Sequence, residues 1–342
     1  MANLNYERRL MNLNARRFDE QVGKADLSES YGKFILPKNL EYLIESMRPI
    51  EKKYNDVTLV AAENVKKHLE RDLSLHFNRA YRTQGSVKTS TNIKLHSDID
   101  LLVLVDRYQF LEPALCPPQY PYTDSIPDDD IWLLRRQSTT IMQNQYDDVD
   151  TTGKKSISIT NKNLRRKVDL VFSFWYDTQR YSEANDEFYR GICLYDFPAK
   201  KRLPDFPFAH ISNVNWKGEN TLDGSRKGIR LVKTLKADSE DRIKLSSFEL
   251  TCLVHSIENS DLFYRNREEL KIAISISSQI GKMLSDSVYR KSIKSPNATE
   301  KPFDNDDCLS GLRNLKEDLD QLIKDCAGEL NNFLTKRSLL IY

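Results

Sequence analysis

Residues 97–105 have the sequence SDIDLLVLV, which places two aspartates, Asp98 and Asp100, at the start of a strongly apolar run. A third aspartate, Asp169, lies inside a second apolar run, residues 168–172. Short apolar runs of this kind are typical of buried β-strands. Burying a carboxylate in such a strand costs free energy unless it is paired or binds a metal ion. The sequence therefore predicts two strands that together carry a divalent-metal site.

The three aspartates can converge because side chains two positions apart on a strand face the same side, about 6.6 Å apart. Asp98 and Asp100 would share one face while Ile99 points into the core, and strand pairing would bring Asp169 alongside. Three carboxylates this close repel one another unless a cation lies between them. Oxygen ligands suit Mg²⁺, with Mn²⁺ as an alternative, and two such ions could activate a hydroxyl and stabilise a leaving oxygen.

The expected roles of the aspartates differ. Asp98 and Asp100 would bridge both ions, whereas Asp169 would ligate the ion at the attacking hydroxyl and accept its proton. Taken alone, an Asp-x-Asp pair also fits a cap at the start of a strand.

A Gly85-Ser86 pair ahead of the first strand favours phosphate binding. Glycine lets backbone N–H groups approach a triphosphate, and the serine hydroxyl adds a donor. By itself, such a pair is also typical of an ordinary turn.

The composition indicates a globular protein of about two domains, because the chain has 342 residues, of which 39% are hydrophobic. Its formal net charge of +2 argues against bulk nucleic-acid binding. The basic clusters at 165–167 and 200–202 fit either phosphate contacts or solvated surface.

Cysteine usage and hydropathy predict a soluble, cytoplasmic protein. The cysteines have no short paired spacing, so neither a zinc site nor a disulfide framework is expected. They are Cys116, Cys193, Cys252, Cys308 and Cys326. No apolar signal core is recognised, and no run reaches the roughly 18 apolar residues that span a membrane.

Hydrophobic periodicity predicts an α+β fold with a mixed half followed by a helical half. The predicted helices are 56–75, 127–145, 223–237, 246–259, 267–288 and 309–336, the strands are 98–105, 156–160, 167–175 and 190–195, and the loops include 112–130 and 161–163. Because the pattern changes around Pro204 and Pro207, we predict a domain 1–205, which includes an N-terminal helix, and a helical domain 206–342.

The motifs resemble the polymerase-beta-type nucleotidyltransferase superfamily. The resemblance is carried by Gly85-Ser86, by SDIDL at 97–101 and by VDL at 168–170. This superfamily includes poly(A) polymerases, CCA-adding enzymes and antibiotic nucleotidyltransferases. The resemblance implies a catalytic lobe with a mixed β-sheet, packed against a helical lobe, with the active site in the cleft between them.

The second half of the sequence resembles a smaller group of enzymes within this superfamily. The sequence RLVKTLK at 230–236, followed by LSSFEL at 245–250, is similar to the helical lobe of cyclic GMP–AMP synthase and the oligoadenylate synthetases. Gly191-Ile192, a Pro-rich link and residues 210–215 resemble the bacterial branch, the CD-NTases. We interpret His210 as a structural histidine in that link.

The resemblance implies further nucleotide-binding residues. Lys233 and Ser247 would hold the donor triphosphate, and Phe248 would stack on a base. The alternatives are that Lys233 is an exposed lysine, that Ser247 is a helix cap and that Phe248 belongs to the core. The Cys/His zinc insertion of the animal members is absent from the sequence, so activation by double-stranded DNA is not expected.

The resemblance implies a Mg²⁺-dependent synthase that makes cyclic oligonucleotides from nucleoside triphosphates. ATP is the expected substrate, with GTP or a pyrimidine nucleotide as further substrates. The resemblance also implies a role in CBASS-type anti-phage signalling. We expect a monomer without membrane association. The apolar C-terminus, residues 339–342, either packs on the helical lobe or contacts a regulatory or conjugating protein. The alternatives are a nucleotidyltransferase that modifies RNA or protein, and a non-catalytic nucleotide-binding scaffold. The bases, linkages and ring size of the product stay open.

Overall fold

The computed structural model describes residues 4–17, 36–112, 123–161, 166–265 and 268–339. The chain forms two compact units. The sheet unit comprises the described residues of Glu51–Ser90 and His96–Asn213. The helical unit comprises those of 1–50, 91–95 and 214–342. No helix in the described ranges is both long and apolar enough to cross a membrane.

The sheet unit alternates helices and strands. Its elements are α3 (Lys52–Asp72), β1 (Arg79–Gln84), β2 (Ile99–Leu111), α4 (Pro127–Gln145), β3 (Val149–Asp150), β4 (Ser156–Asn161), β5 (Arg166–Asp177), α5 (Gln179–Ala184), a 3₁₀ turn (Glu187–Tyr189), β6 (Gly191–Asp196) and β7 (Lys201–Asp205). The next helix, α6 (Pro207–Asn220), contains the boundary between the two units.

The described strands form one seven-stranded mixed sheet. Its main path is β1-β2-β5-β4-β3, and β6 pairs with β5 and with the edge strand β7. Strands β2 and β5 run parallel, whereas the other pairs are antiparallel. The parallel pair therefore lies in the middle of the sheet, and the predicted metal-binding strands are direct neighbours.

Both faces of the central strands are buried, which explains their continuous apolar sequences. One face of β2, with Ile99, Leu101 and Val103, packs in the same core cluster as helices α3 and α4. The other face carries Leu102 and Leu104, which pack in a smaller cluster with Trp175 of β5. Asp98 and Asp100 precede Leu102 on this second face, so the odd positions supply the main core and the even positions supply the carboxylates.

The helical unit is built around one large apolar core. Its elements are α1 (Tyr6–Arg17), α2 (Lys38–Met47), α7 (Gly224–Asp238), α8 (Ser247–His255), α9 (Asn259–Leu262), α10 (Glu269–Ser285), α11 (Ser287–Ser292) and α12 (Cys308–Leu339). Across both units, all four cysteines that the structure describes are free and buried; they are Cys193, Cys252, Cys308 and Cys326.

The observed division differs from the predicted domains 1–205 and 206–342. The first two helices belong to the helical unit because Leu13 and Tyr42 are buried in the same core as the C-terminal helices. A buried ion pair also joins α1 to α12, with Arg9 Nη2 2.8 Å from Asp318 Oδ2.

The prediction of a link around His210 is wrong, because residues 207–220 form helix α6. Proline is favoured in the first turn of a helix, where its missing N–H has no intrahelical partner. Pro207 therefore starts this helix instead of marking a link. Within the predicted loops at 112–130 and 161–163, residues 113–122 and 162–163 lie outside the described residues, as do Cys116 and residues 340–342.

Candidate active site

Strand register places the two embedded aspartates side by side. Asp100 of β2 pairs with Asp169 of β5 across the parallel ladder. On the outer sides, Gln84 of β1 pairs with Asp100, and Ser158 of β4 pairs with Asp169. Because paired residues point to the same face of a sheet, four polar side chains form one row across four strands. Asp98 lies directly before β2 and joins this row from the strand end.

Each carboxylate of the row has a hydrogen-bond or ionic partner. Gln84 Nε2 donates to Asp100 Oδ2 at 3.3 Å. Ser158 Oγ donates to Asp169 Oδ1. The Lys167 ammonium lies 3.2 Å from Asp169 Oδ2 and 3.8 Å from Asp98 Oδ2. The side chain of Asp98 is 58% exposed and that of Asp169 is 19% exposed, so the row opens towards solvent at Asp98.

The negative charges of the row are only partly compensated. Burial, followed by the charge of Asp169, raises the pKa of Asp100 from its ordinary value of 3.8 to about 6, and the charge of Asp98 adds to this. The hydrogen bond from Gln84 and the charge of Lys167 act in the opposite direction. Partial burial acts to lower the pKa of Lys167, but the three carboxylates outweigh it and the pKa is raised. The row is therefore a site that favours additional positive charge.

The donor chemistry fits a divalent cation. Carboxylate oxygens are the ligands that Mg²⁺ and Mn²⁺ prefer. The raised pKa of Asp100, caused first by burial and then by the charge of Asp169, shows that its ionised form lacks sufficient compensation. Among the described residues, however, no three His, Cys, Asp or Glu side chains form a ready metal-binding group. The Lys167 ammonium already contacts one oxygen of Asp98 and one oxygen of Asp169.

The structure brings Gly85 to the aspartates. Its φ of +109° is in the region that side chains rarely adopt, which explains why a glycine occupies this turn. A Cβ at this position would lie 3.9 Å from Asp100 Oδ2 and 3.9 Å from the carbonyl oxygen of Asp98. Ser86 follows in a tight turn in which the Lys88 N–H donates to the Gly85 carbonyl. The Gly85-Ser86 turn is therefore placed where a phosphate group could approach the carboxylates.

Lys233 lies in helix α7 of the helical unit and is half-buried. Its ammonium donates to the carbonyl oxygen of Thr91 at 3.2 Å and to Thr91 Oγ1 at 3.3 Å. Burial, with a contribution from the charge of Arg230, lowers the pKa of Lys233 to about 8. The alternative of an exposed lysine is therefore wrong.

Ser247 is the first residue of helix α8, and its side chain is not the helix cap. The cap is Ser246, which forms a capping box with Glu249. Ser247 is exposed and so keeps its hydroxyl available for other partners. Phe248 is half-buried and packs against the apolar core of the helical unit, which favours the core alternative for this residue.

Among the residues that the structure describes, three that contact the carboxylates are not predicted site residues: Gln84, Ser158 and Lys167. Lys167 belongs to the basic cluster at 165–167, which by sequence fits phosphate contacts or solvated surface. The two-residue period of β-strands could have identified it, because it lies two positions before Asp169 and therefore faces the same side. Gln84 and Ser158 required the register of strands β1 and β4.

Known proteins match most of the chain, although no protein-family model does. The chain is 32% identical over 298 residues to a c-di-GMP synthase of a Lachnospiraceae bacterium (strain RUG226), covering 79% of this chain and 84% of the relative. It is 29% identical over 296 residues to the cyclic dinucleotide synthase CdnE of Yersinia aleksiciae, covering 85% and 77%, respectively. The solved structure of the STING-associated CdnE c-di-GMP synthase from Capnocytophaga granulosa has a TM-score of 0.81 at 28% identity, covering 95% of this chain and 100% of that one.

The fold and the carboxylate row define a nucleotidyltransferase of the polymerase-beta-like fold, as predicted. The level of identity and coverage then places the chain more narrowly: it belongs to the CD-NTase family. The predictions of an enzyme and of a cyclic oligonucleotide synthase are confirmed. Members of this family act on nucleotides and use divalent metal ions in catalysis.

Proposed function

We propose that this CD-NTase joins two GTP molecules into cyclic di-GMP with two Mg²⁺ ions, for which Mn²⁺ can substitute. The observation that carries the proposal is the register of Asp100 with Asp169, with Asp98 exposed at the end of the row. The choice of guanine is supported by the relatives named above as c-di-GMP synthases. It revises the sequence-based expectation, which places ATP first.

The metal ions would be held by Asp98, Asp100 and Asp169, and when bound they would supply the charge that lowers the pKa of an attacking hydroxyl and neutralises the leaving oxygen. The carboxylates position the hydroxyl of one GTP ribose against the α-phosphorus of the other GTP. Ser158 donates to Oδ1 of Asp169, and the carboxylate of Asp169 would accept the hydroxyl proton.

The triphosphate would be held by other parts of the chain. The backbone of Gly85 and the hydroxyl of Ser86 would donate hydrogen bonds to its non-bridging oxygens. Lys233 and Ser247 would contribute an ammonium and an exposed hydroxyl. Phe248 stays a proposed base contact, although most of its environment is the core of the helical unit.

The reaction balances as two successive transfers. In each, a ribose hydroxyl oxygen forms a bond to an α-phosphorus, the bond from that phosphorus to the bridging oxygen breaks, and pyrophosphate leaves. The hydroxyl proton passes to Asp169 and then to solvent. The second transfer runs in the opposite sense and closes the ring, so two GTP molecules give one cyclic dinucleotide and two pyrophosphates.

We further propose that the enzyme works as a monomer in the bacterial cytoplasm, without double-stranded DNA, and that its product signals in anti-phage defence. The proposed regulatory or conjugating partner of the C-terminus stays a prediction, because residues 340–342 lie outside the described residues.

The test is to incubate the purified protein with each α-labelled nucleoside triphosphate, singly and in pairs, with Mg²⁺ or Mn²⁺. Products are treated with phosphatase and identified by mass spectrometry. We expect a phosphatase-resistant product of the mass of cyclic di-GMP from GTP alone, and none from an Asp169→Asn variant. A cyclic product that contains any base other than guanine would contradict the base choice. Label recovered on RNA or protein would favour the macromolecule-modifying alternative.

A further inference from the structure

Lys167 holds the carboxylate row together in a way that a metal ion would duplicate. Its ammonium lies 3.2 Å from Asp169 Oδ2 and 3.8 Å from Asp98 Oδ2, so one cation contacts two proposed metal ligands. The side chain is 39% exposed, and its charge is therefore neither sealed in nor fixed by surrounding packing. It begins on the same strand and face as Asp169, two positions earlier.

We propose that Lys167 is the resident counter-cation of the metal-free site and that divalent ions bind by displacing it. The inference rests on the proposed metal-binding function of the row. The ammonium contacts one oxygen of Asp98 and one oxygen of Asp169, and a metal ion held by the same two carboxylates would compete with it for them. A lysine suits this role because its charge is compact and its four-carbon stem can swing aside.

The competition has a consequence for the order of binding. Removing the ammonium from two carboxylates costs free energy, so the metal affinity of the nucleotide-free protein is reduced. Mg²⁺ is commonly bound by one or two carboxylates together with substrate phosphates. A triphosphate that brings its own oxygen ligands would offset the cost of displacing Lys167, so the site would fill mainly when nucleotide is present.

Lys167→Met tests the proposal because methionine keeps most of the length of the side chain and removes the charge. Binding of Mn²⁺ to the nucleotide-free protein is measured from the loss of the free-ion signal in electron paramagnetic resonance, which requires no catalytic activity. We expect Lys167→Met to bind Mn²⁺ about threefold to tenfold more tightly than the unaltered protein, as loss of two partly exposed ion pairs would give. Lys167→Arg, which keeps the charge, should bind as the unaltered protein does.

Lys201→Met is the matched control, because Lys201 is an exposed lysine on the edge strand β7 of the same sheet. It removes one positive charge from the unit without touching the carboxylates, and we expect unchanged Mn²⁺ affinity. Thermal unfolding in EDTA provides a second readout. Lys167→Met should unfold at a lower temperature than the unaltered protein in EDTA and at the same temperature in saturating Mn²⁺.

The outcomes separate the two proposals. If the unaltered protein binds no Mn²⁺ at this site even when a non-hydrolysable GTP analogue is present, both the metal site and the counter-cation are refuted. If it binds Mn²⁺ but Lys167→Met binds it equally or more weakly, the counter-cation is refuted and the metal site stands. Tighter binding in Lys201→Met to the same extent would attribute the effect to overall charge and would also overturn the role of Lys167.

Discussion

Asp100 is expected to destabilise the metal-free protein, and replacing it by asparagine should therefore raise stability while removing activity. The pKa of Asp100 is raised from 3.8 to about 6 by burial and by the charge of Asp169. This difference corresponds to about 3 kcal/mol of unfavourable free energy when the carboxyl is ionised in the folded state. In the Asp100→Asn variant the amide would carry no such charge, and its oxygen could still accept the hydrogen bond from Gln84.

The direction in which stability changes with pH follows from the protonation of Asp100 in the folded and unfolded states. Asp100 ionises in the unfolded chain near pH 4 and in the folded protein only near pH 6. The folded state therefore loses relative stability as the pH rises through this window, and the full cost is present above pH 6. Asp100→Asn should be more stable than the unaltered protein by about 3 kcal/mol at pH 7.5 and by about half of that at pH 5.

The assay is chemical or thermal unfolding in EDTA at both pH values, followed by the same measurement with Mn²⁺. Asp98→Asn is the matched control, because Asp98 is largely exposed and its replacement should change metal-free stability by less than about 0.5 kcal/mol. Both variants should lack synthase activity. An Asp100→Asn variant that is no more stable than the unaltered protein at pH 7.5, or whose gain is independent of pH, would refute the electrostatic argument.

Three further changes probe the phosphate-binding and proton-accepting groups. Gly85→Ala places an alanine at a backbone φ of +109°. It should lower the free energy of unfolding by about 1–2 kcal/mol and lower kcat/KM at least about tenfold. A variant with an unchanged thermal midpoint and full activity would contradict the proposed turn geometry. Lys233→Met should raise the KM for GTP about tenfold at pH 7. Because the pKa of Lys233 is about 8, the KM of the unaltered protein should rise above pH 8, whereas the KM of the variant should not change with pH. Ser158→Ala removes the hydroxyl that donates to Asp169 and should lower kcat about tenfold with little change in KM, whereas a change confined to KM would indicate a substrate contact instead.

The carboxylates themselves could be predicted from the sequence because their strands are unusually apolar. Residues 101–105 are buried on both faces of the sheet, so an aspartate at the start of this run is conspicuous in the sequence. The alternation that points Ile99 inward and Asp100 to the other face follows from strand geometry alone. The sequence suggests the pairing of Asp100 with Asp169 but does not determine it, because the register of parallel strands depends on packing between distant segments.

The N-terminal helices illustrate what local patterns leave out. Helix α1 carries many charged residues, yet Arg9 is almost completely buried because Asp318 of the C-terminal helix compensates its charge. No pattern within residues 6–17 indicates this partner, which lies at the other end of the sequence. Predicted domain boundaries that follow chain order therefore place these helices with the sheet. Lys167 differs, because strand alternation alone places it on the face of Asp169, while the adjacent Arg166 is buried in contact with Thr58.

The carboxylate row thus lowers the stability of the metal-free protein, although the proposed catalysis requires it. A sheet optimised for stability alone would place apolar residues at Asp100 and Asp169, as it does at the neighbouring Leu102 and Val171. Retaining the carboxylates keeps a charge cost in the metal-free protein, which Gln84, Ser158 and Lys167 reduce without abolishing, as the raised pKa of Asp100 indicates. A cation that binds the row removes this charge cost. Its removal therefore contributes to the binding free energy of the metal and of the nucleotide that accompanies it. Variants that relieve the cost should therefore lose metal-induced stabilisation by about the amount they gain in its absence.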